Sequence, residues 1–259
     1  MSHRSAIIKT EELFYSHLPE SVLPSGDPVE QRLLAEYGAV FVAAGGAIPP
    51  SKIVFRNEDE VLAFQESFAP GVAMIGGFQI ELQSEAMNNL LAAIEKANDS
   101  GLSITPRGPD SARRNYTGTV ELWLSRVEPG LRHWTEQGRI GQPAADHILS
   151  LSPFDQVREI LKLELDGIYF AKDLSKSIIY SVAPPGTSQH LSMLALDITE
   201  FNEPRVREIM ACYGWYQTVI SDLPHFTFLG MTESELVGKG LRKVEFSGRY
   251  FWVPDIAGE

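Results

Sequence analysis

Ser188-Gln189-His190-Leu191-Ser192-Met193-Leu194-Ala195-Leu196-Asp197-Ile198 is followed, after a helix-like segment, by Gly214-Trp215-Tyr216-Gln217-Thr218-Val219-Ile220-Ser221-Asp222-Leu223-Pro224-His225. This stretch gathers two histidines and two aspartates: His190, Asp197, Asp222 and His225. Two neutral imidazoles and one carboxylate are a common ligand set for Zn²⁺ when a fourth position stays open to water. A further carboxyl group that is not a ligand can act as general base. Residues seven apart on a regular strand point to opposite faces, so His190 and Asp197 meet at one ion only if the chain bends between them. His190-Leu191-Ser192 reads as that bend, with a strand beginning near Leu194. Ala195 and Asp197 then share a face, and Leu194 and Leu196 pack behind. Pro184-Pro185 and Gly186 shape the approach to Ser188. Pro224 fixes one backbone angle between Asp222 and His225.

Outward from this stretch, strands are expected at Leu194–Ile198, Tyr216–Ile220 and His225–Leu229. A terminal hairpin is expected with Ser247-Gly248-Arg249 at its turn. On the N-terminal side the pattern is mainly helical. Asn57 with Glu60 opens one helix, and Ser84 to Asn98 carries Met87, Leu90, Leu91, Ile94 and Ala97 on one face. Ser152-Pro153 opens another. Short strands are expected at Gly38–Ala43, Lys52–Phe55, Leu102–Thr105 and Ser177–Val182. Helices mainly first and an antiparallel sheet mainly last give an α+β class, with helices packed on a central antiparallel sheet. Residues 1–75, loop-like at Pro19, Pro24, Gly26 and Pro28, read as an N-terminal extension or subdomain, and residues 76–259 as the main domain.

The chain has 259 residues, 44% of them hydrophobic and 22% charged, enough for an ordinary folded core. Acidic residues outnumber basic ones, 34 to 22, for a net charge of −12. Such a surface repels nucleic-acid phosphates and anionic membranes alike. No apolar run is long enough to span a bilayer. Ala6-Ile7-Ile8 is too short for the hydrophobic region of a signal peptide, which leaves the location open: periplasmic or extracellular if a leader was removed, otherwise cytoplasmic. Cys212 is the only cysteine, which rules out an internal disulfide; it reads as a core residue rather than a nucleophile. Trp123, Trp215 and Trp252 read as core aromatics.

Ser188-x-His190-x6-Asp197 followed by Asp222-x-x-His225 resembles the signature of the LAS metallopeptidases. That group includes zinc D-alanyl-D-alanine carboxypeptidases, phage endolysin peptidases and the hedgehog signalling domain. Of the family pattern S-x-H-x-x-G-x-A-x-D, Ser188, His190, Ala195 and Asp197 match, while Met193 replaces the usual glycine. Asp222 stands where many of the carboxypeptidases have Glu. The resemblance covers roughly residues 81 to 230 and implies a hedgehog/D-Ala-D-Ala peptidase-like fold. It implies that His190, Asp197 and His225 hold Zn²⁺ and that Asp222 is the general base. It also implies that an arginine of the 107–114 loop, Arg107 being favoured over Arg113 and Arg114, joins Ser188 in binding a substrate carboxylate. The expected activity is cleavage of cell-wall peptides containing D-amino acids, as a D-alanyl-D-alanine-type carboxypeptidase. One alternative is a zinc-bearing binding module without catalysis, against which the retained Asp222 argues. The other is a non-haem iron oxygenase, whose facial triad also uses two histidines and a carboxylate. Those enzymes often place the first His and the carboxylate two residues apart, whereas here they are seven apart.

Overall fold

Asn57, Asn115 and Ser152 each turn a side-chain oxygen onto the backbone N–H three residues on, and each thereby opens a helix. The computed structural model describes residues 10–23 and 26–256; the Ala6-Ile7-Ile8 cluster and Pro24 of the sequence reading lie outside them. In chain order the elements are α1 (Thr10–Ser16), α2 (Pro28–Tyr37), α3 (Glu58–Gln65), β1 (Pro70–Ile75), β2 (Phe78–Gln83), α4 (Ser84–Asp99), α5 (Tyr116–Glu136), α6 (Gln142–Ser150), α7 (Pro153–Leu165), β3 (Ala195–Asp197), α8 (Pro204–Cys212), β4 (Trp215–Tyr216), β5 (His225–Phe228), α9 (Glu233–Gly238), β6 (Leu241–Phe246) and β7 (Arg249–Pro254). The class is α+β. Among the described residues the strands form three small antiparallel sheets, β1-β2, β3-β5-β4 and β6-β7. Among those residues no helix is long and apolar enough to cross a membrane.

The chain divides into two compact units. One comprises residues up to Ile53, Ala69–Ala112 and Leu194 onward. Its core joins Phe14, Leu34, Val40, Leu90, Trp215, Phe226 and Trp252. Helix α4 buries Ala86, Met87, Leu90, Ala93 and Ala97 and leaves Leu91 exposed, so its apolar stripe is rotated slightly from the one the large residues mark. Gly101, at φ +70, ends α4: its N–H bonds Asn98 O and the Leu102 N–H bonds Ala97 O, which satisfies two orphan carbonyls. The terminal hairpin β6–β7 forms as expected, with Ser247 and Gly248 both at positive φ in its turn.

The other unit comprises Val54–Phe68 and Arg113–Met193 and is helical. Phe55, Val61, Phe64, Tyr116 and Leu191 form one of its clusters. Gln65, at the end of α3, is buried and uses both ends of its amide. Its Nε2 donates to Arg114 O (2.9 Å) and Leu191 O (3.1 Å), and its Oε1 accepts from Arg113 Nε (2.8 Å).

Four expected strands take other forms, and a fifth, Tyr216–Ile220, is strand only at Tyr216, in β4. Gly38–Val42 is a 3-10 turn whose residues are all buried, and a short run buried on every side carries no alternation to separate strand from helix. Lys52–Phe55 has no regular structure, although Phe55 N–H bonds Gly186 O. Ser177–Val182 is broken by a 3-10 turn at Ile178–Tyr180, because buried Glu164 of α7 accepts from both Ser177 Oγ (2.5 Å) and Ile178 N (2.7 Å). Leu102–Thr105 stays outside any strand; Thr105 O accepts from Thr199 N, and Pro106 forms an isolated bridge with Ile198. Cys212, expected in the core, is exposed: Val206 and Met210 mark the buried face of α8, and Cys212 lies two residues beyond Met210, on the other side.

Gly186, at φ +77, packs its backbone against that of Phe55, whose N–H bonds Gly186 O. A Cβ there would meet Phe55 O at 1.8 Å. Gly186→Ala is therefore expected to destabilise the fold by about 3 kcal/mol or more, near the upper end for a single substitution. Urea unfolding reads it; a change below about 0.5 kcal/mol, the scale of an ordinary surface substitution, would show that the loop does not make this approach.

Candidate metal centre

The sheet β3-β5-β4 sets the two ligands that are far apart in sequence. Asp197 on β3 stands directly opposite His225 on β5. Bonds from Phe228 N to Leu194 O and from Ile198 N to Pro224 O make the pairs at Leu194 and Ile198 the hydrogen-bonded ones. Asp197 and His225 fall between them, in the non-hydrogen-bonded class, where facing side chains come closest. The backbone of Asp197 points the other way, to the basic loop: its N–H donates to Ser111 O (2.9 Å) and its carbonyl accepts from Arg107 N (3.1 Å).

His225 Nδ1 lies 3.3 Å from Asp197 Oδ1, just beyond the usual N–H···O range. Nitrogen and oxygen donors at about 2.0–2.2 Å from one tetrahedral ion stand about 3.4 Å apart. The spacing therefore fits two ligands of a common metal. His225 is buried and Asp197 retains 15% of its side-chain exposure, which leaves the pair reachable from outside.

His190 lies seven residues before Asp197 along the chain. Gln189–Ser192 is a 3-10 turn, the expected bend, and Met193 closes it in the left-handed conformation at φ 58, its N–H bonding His190 O (3.2 Å). The one position where the chain departs from the resembling pattern's glycine is thus a position with glycine-like geometry. A non-glycine residue there costs ~1–2 kcal/mol. The Met193 side chain is 1% exposed, and burying it contributes a comparable ~1.5–3 kcal/mol. His190, Asp197 and His225 each offer one ligand atom, and these atoms lie within 4.8 Å of one another. This group could hold a metal ion, and both imidazoles are shielded from bulk water.

Of the other expected site residues, Ser188 is buried at the start of the 3-10 turn and its carbonyl accepts from Leu191 N. Asp222 is exposed in the turn before β5, and its carbonyl accepts from His225 N (3.2 Å), which ties it to that ligand. Arg107 has an exposed side chain on a backbone fastened to Asp197. Arg113 is engaged by Gln65, and Arg114 donates its backbone N–H to His190 O (3.4 Å).

Sequence reasoning missed Thr227. It is fully buried, with its Oγ1 3.5 Å from His225 Nε2 and 2.6 Å from Thr218 Oγ1. If Nδ1 faces the metal, the imidazole proton resides on Nε2 and Thr227 is placed to receive it. The signal was available: on a strand, residue 227 shares the face of residue 225. Gln65 carried no such signal, since its partners lie far along the chain.

Compared with protein-family models, with curated proteins and with solved structures, the chain finds no match.

Equilibrium dialysis followed by elemental analysis is expected to give one divalent ion per chain, and His225→Ala should lose it. Thr227→Val, which keeps the volume and removes the hydroxyl, should weaken metal affinity by about 10–100-fold. Equal affinity in Thr227→Val and wild type would remove Thr227 from any positioning role.

Proposed function

We propose that the chain is a zinc-dependent peptidase of the LAS type, acting on cell-wall peptides that contain D-amino acids, as a D-alanyl-D-alanine-type carboxypeptidase. The observation that carries this reading is the meeting of His190, Asp197 and His225 within 4.8 Å, in the order and spacing of the peptidase motif. Two imidazoles and one carboxylate suit Zn²⁺ with an open position. A bound Zn²⁺ supplies Lewis acidity that polarises a peptide carbonyl and makes a water acidic enough to lose a proton near neutral pH.

The chain's own groups do the rest. The Asp222 carboxylate accepts the proton of the attacking water and returns it to the leaving amine. The Arg107 guanidinium holds the free carboxylate of the substrate through paired hydrogen bonds, and the Ser188 hydroxyl donates a further one. Support for Arg107 comes from its tether: its backbone N–H bonds Asp197 O, so guanidinium and ligand share one backbone anchor.

Incubation with purified peptidoglycan peptides, read by mass spectrometry, is expected to show loss of the terminal D-alanine. Metal analysis of protein purified without added metal is expected to find zinc. Zinc-loaded protein that leaves every such peptide intact would favour the binding-module reading, and iron in place of zinc the oxygenase.

Asp222→Asn should keep zinc and lose turnover by roughly 10²–10⁴-fold. A merely structural Asp222 predicts turnover within a few-fold of wild type. Arg107→Ala should weaken free-acid substrates by about 1.5–3 kcal/mol, the worth of a hydrogen bond to a charged group, and leave amidated peptides little changed. Equal loss on both would reject carboxylate anchoring.

A further inference from the structure

Six buried side-chain polar atoms among the described residues lack a hydrogen-bond partner, and three belong to residues lining one cleft: Trp215 Nε1, Gln217 Oε1 and Arg249 Nη1. Native structures leave few such atoms, so three at residues of one cleft ask for a partner. The cleft has a volume of about 370 Å³, within the usual range for small-molecule sites. Its walls include the rings of Phe226, Tyr250 and Trp252.

Charge in the cleft is arranged unevenly. Lys243 is neutralised by Glu233 (2.9 Å) and lies over the Tyr250 ring. Arg207 donates to the carbonyls of Phe201 and Asn202, and Arg249 donates through Nη2 to Asn202 Oδ1, so both guanidiniums are held by neutral groups. Arg207 is pushed below its ordinary pKa, first by burial and then by the positive charge of Arg249, with Glu203 and Glu208 opposing. Two like charges share a partly desolvated place where an anion would relieve them.

We infer that this cleft binds a small carboxylate that also carries an N–H, such as the C-terminal residue of a peptide or an acylated amino acid. The carboxylate would take the Arg249 Nη1 and Trp215 Nε1 donors after a small side-chain adjustment, the N–H would meet Gln217 Oε1, and an apolar side chain would lie on the rings. A phosphate dianion fits worse: its second negative charge adds to the repulsion from Glu208 and Glu233 at the wall, and it has no apolar group to lay on the rings. The cleft uses none of the metal centre's residues, so it holds or fails independently of the peptidase reading.

Trp215 and Trp252 make tryptophan emission a direct readout. Wild-type protein in a chelating buffer is titrated with N-acetylphenylalanine, its amide, 3-phenylpropionate and inorganic phosphate. Saturable change with N-acetylphenylalanine is expected, with weaker binding of 3-phenylpropionate and none of the amide. Arg249→Gln, checked for folding by circular dichroism, should weaken N-acetylphenylalanine by roughly 10–100-fold. If that variant fails to fold, the wild-type series still decides. The proposal is overturned if N-acetylphenylalanine gives no saturable change at millimolar concentration, if the amide binds as well as the acid, or if phosphate alone binds.

Discussion

The backbone of Asp197 is the constraint on which the candidate metal centre depends. Both of its polar groups are taken by the loop at Arg107 and Ser111, and this leaves its side chain paired with His225 at the closest approach an antiparallel ladder allows. A shift of register by one residue would turn Asp197 to the far face and separate the ligands. The loop is held in turn by Gly108 N donating to Ser111 Oγ (2.8 Å) and Ser111 N donating to Gly108 O. Backbone hydrogen bonds, rather than side-chain packing alone, therefore fix where the carboxylate points.

The centre was legible because its determinants are local. His190 and Asp197 are joined by a bend and a three-residue strand, and the bend was readable from the parity of their spacing. Asp222-Leu223-Pro224-His225 is a turn feeding a strand, and it forms as one. Helices with side-chain caps at Asn57 and Ser152 were equally visible, since each cap acts within three residues. What stayed hidden depends on distant partners. Glu164 pulls Ser177–Ile178 into a turn from the far end of α7, and Gln65 gathers Arg113, Arg114 and Leu191 from segments far along the chain. The expected central sheet is three small ones, because runs such as Gly38–Val42 are apolar on all sides and show no period. Cys212 was misplaced by treating a small apolar side chain as buried without asking which face of α8 it occupies.

Met193 shows how a departure from a familiar pattern can be absorbed. The left-handed conformation after the 3-10 turn is what directs the chain from His190 into β3. A glycine adopts it freely; here a methionine adopts it because its side chain is wholly enclosed. The enclosed side chain offsets the backbone cost, so the residue type at this point is a weak guide to the backbone conformation.

The sheet β3-β5-β4 has a second property that follows from the contacts along its two flanks. Beyond β3, the chain at Thr105–Ser111 takes up backbone groups of Asp197 and Thr199; beyond β4, Trp252 N–H is donated to Gln217 O. A strand edge with free N–H and C=O groups is a template onto which another chain can add, the first step of edge-to-edge aggregation. Here irregular chain occupies one margin and the terminal hairpin the other. The segment Phe226-Thr227-Phe228, aromatic and uncharged, is enclosed in the middle strand, where a neighbouring molecule cannot reach its backbone without first displacing a covering segment.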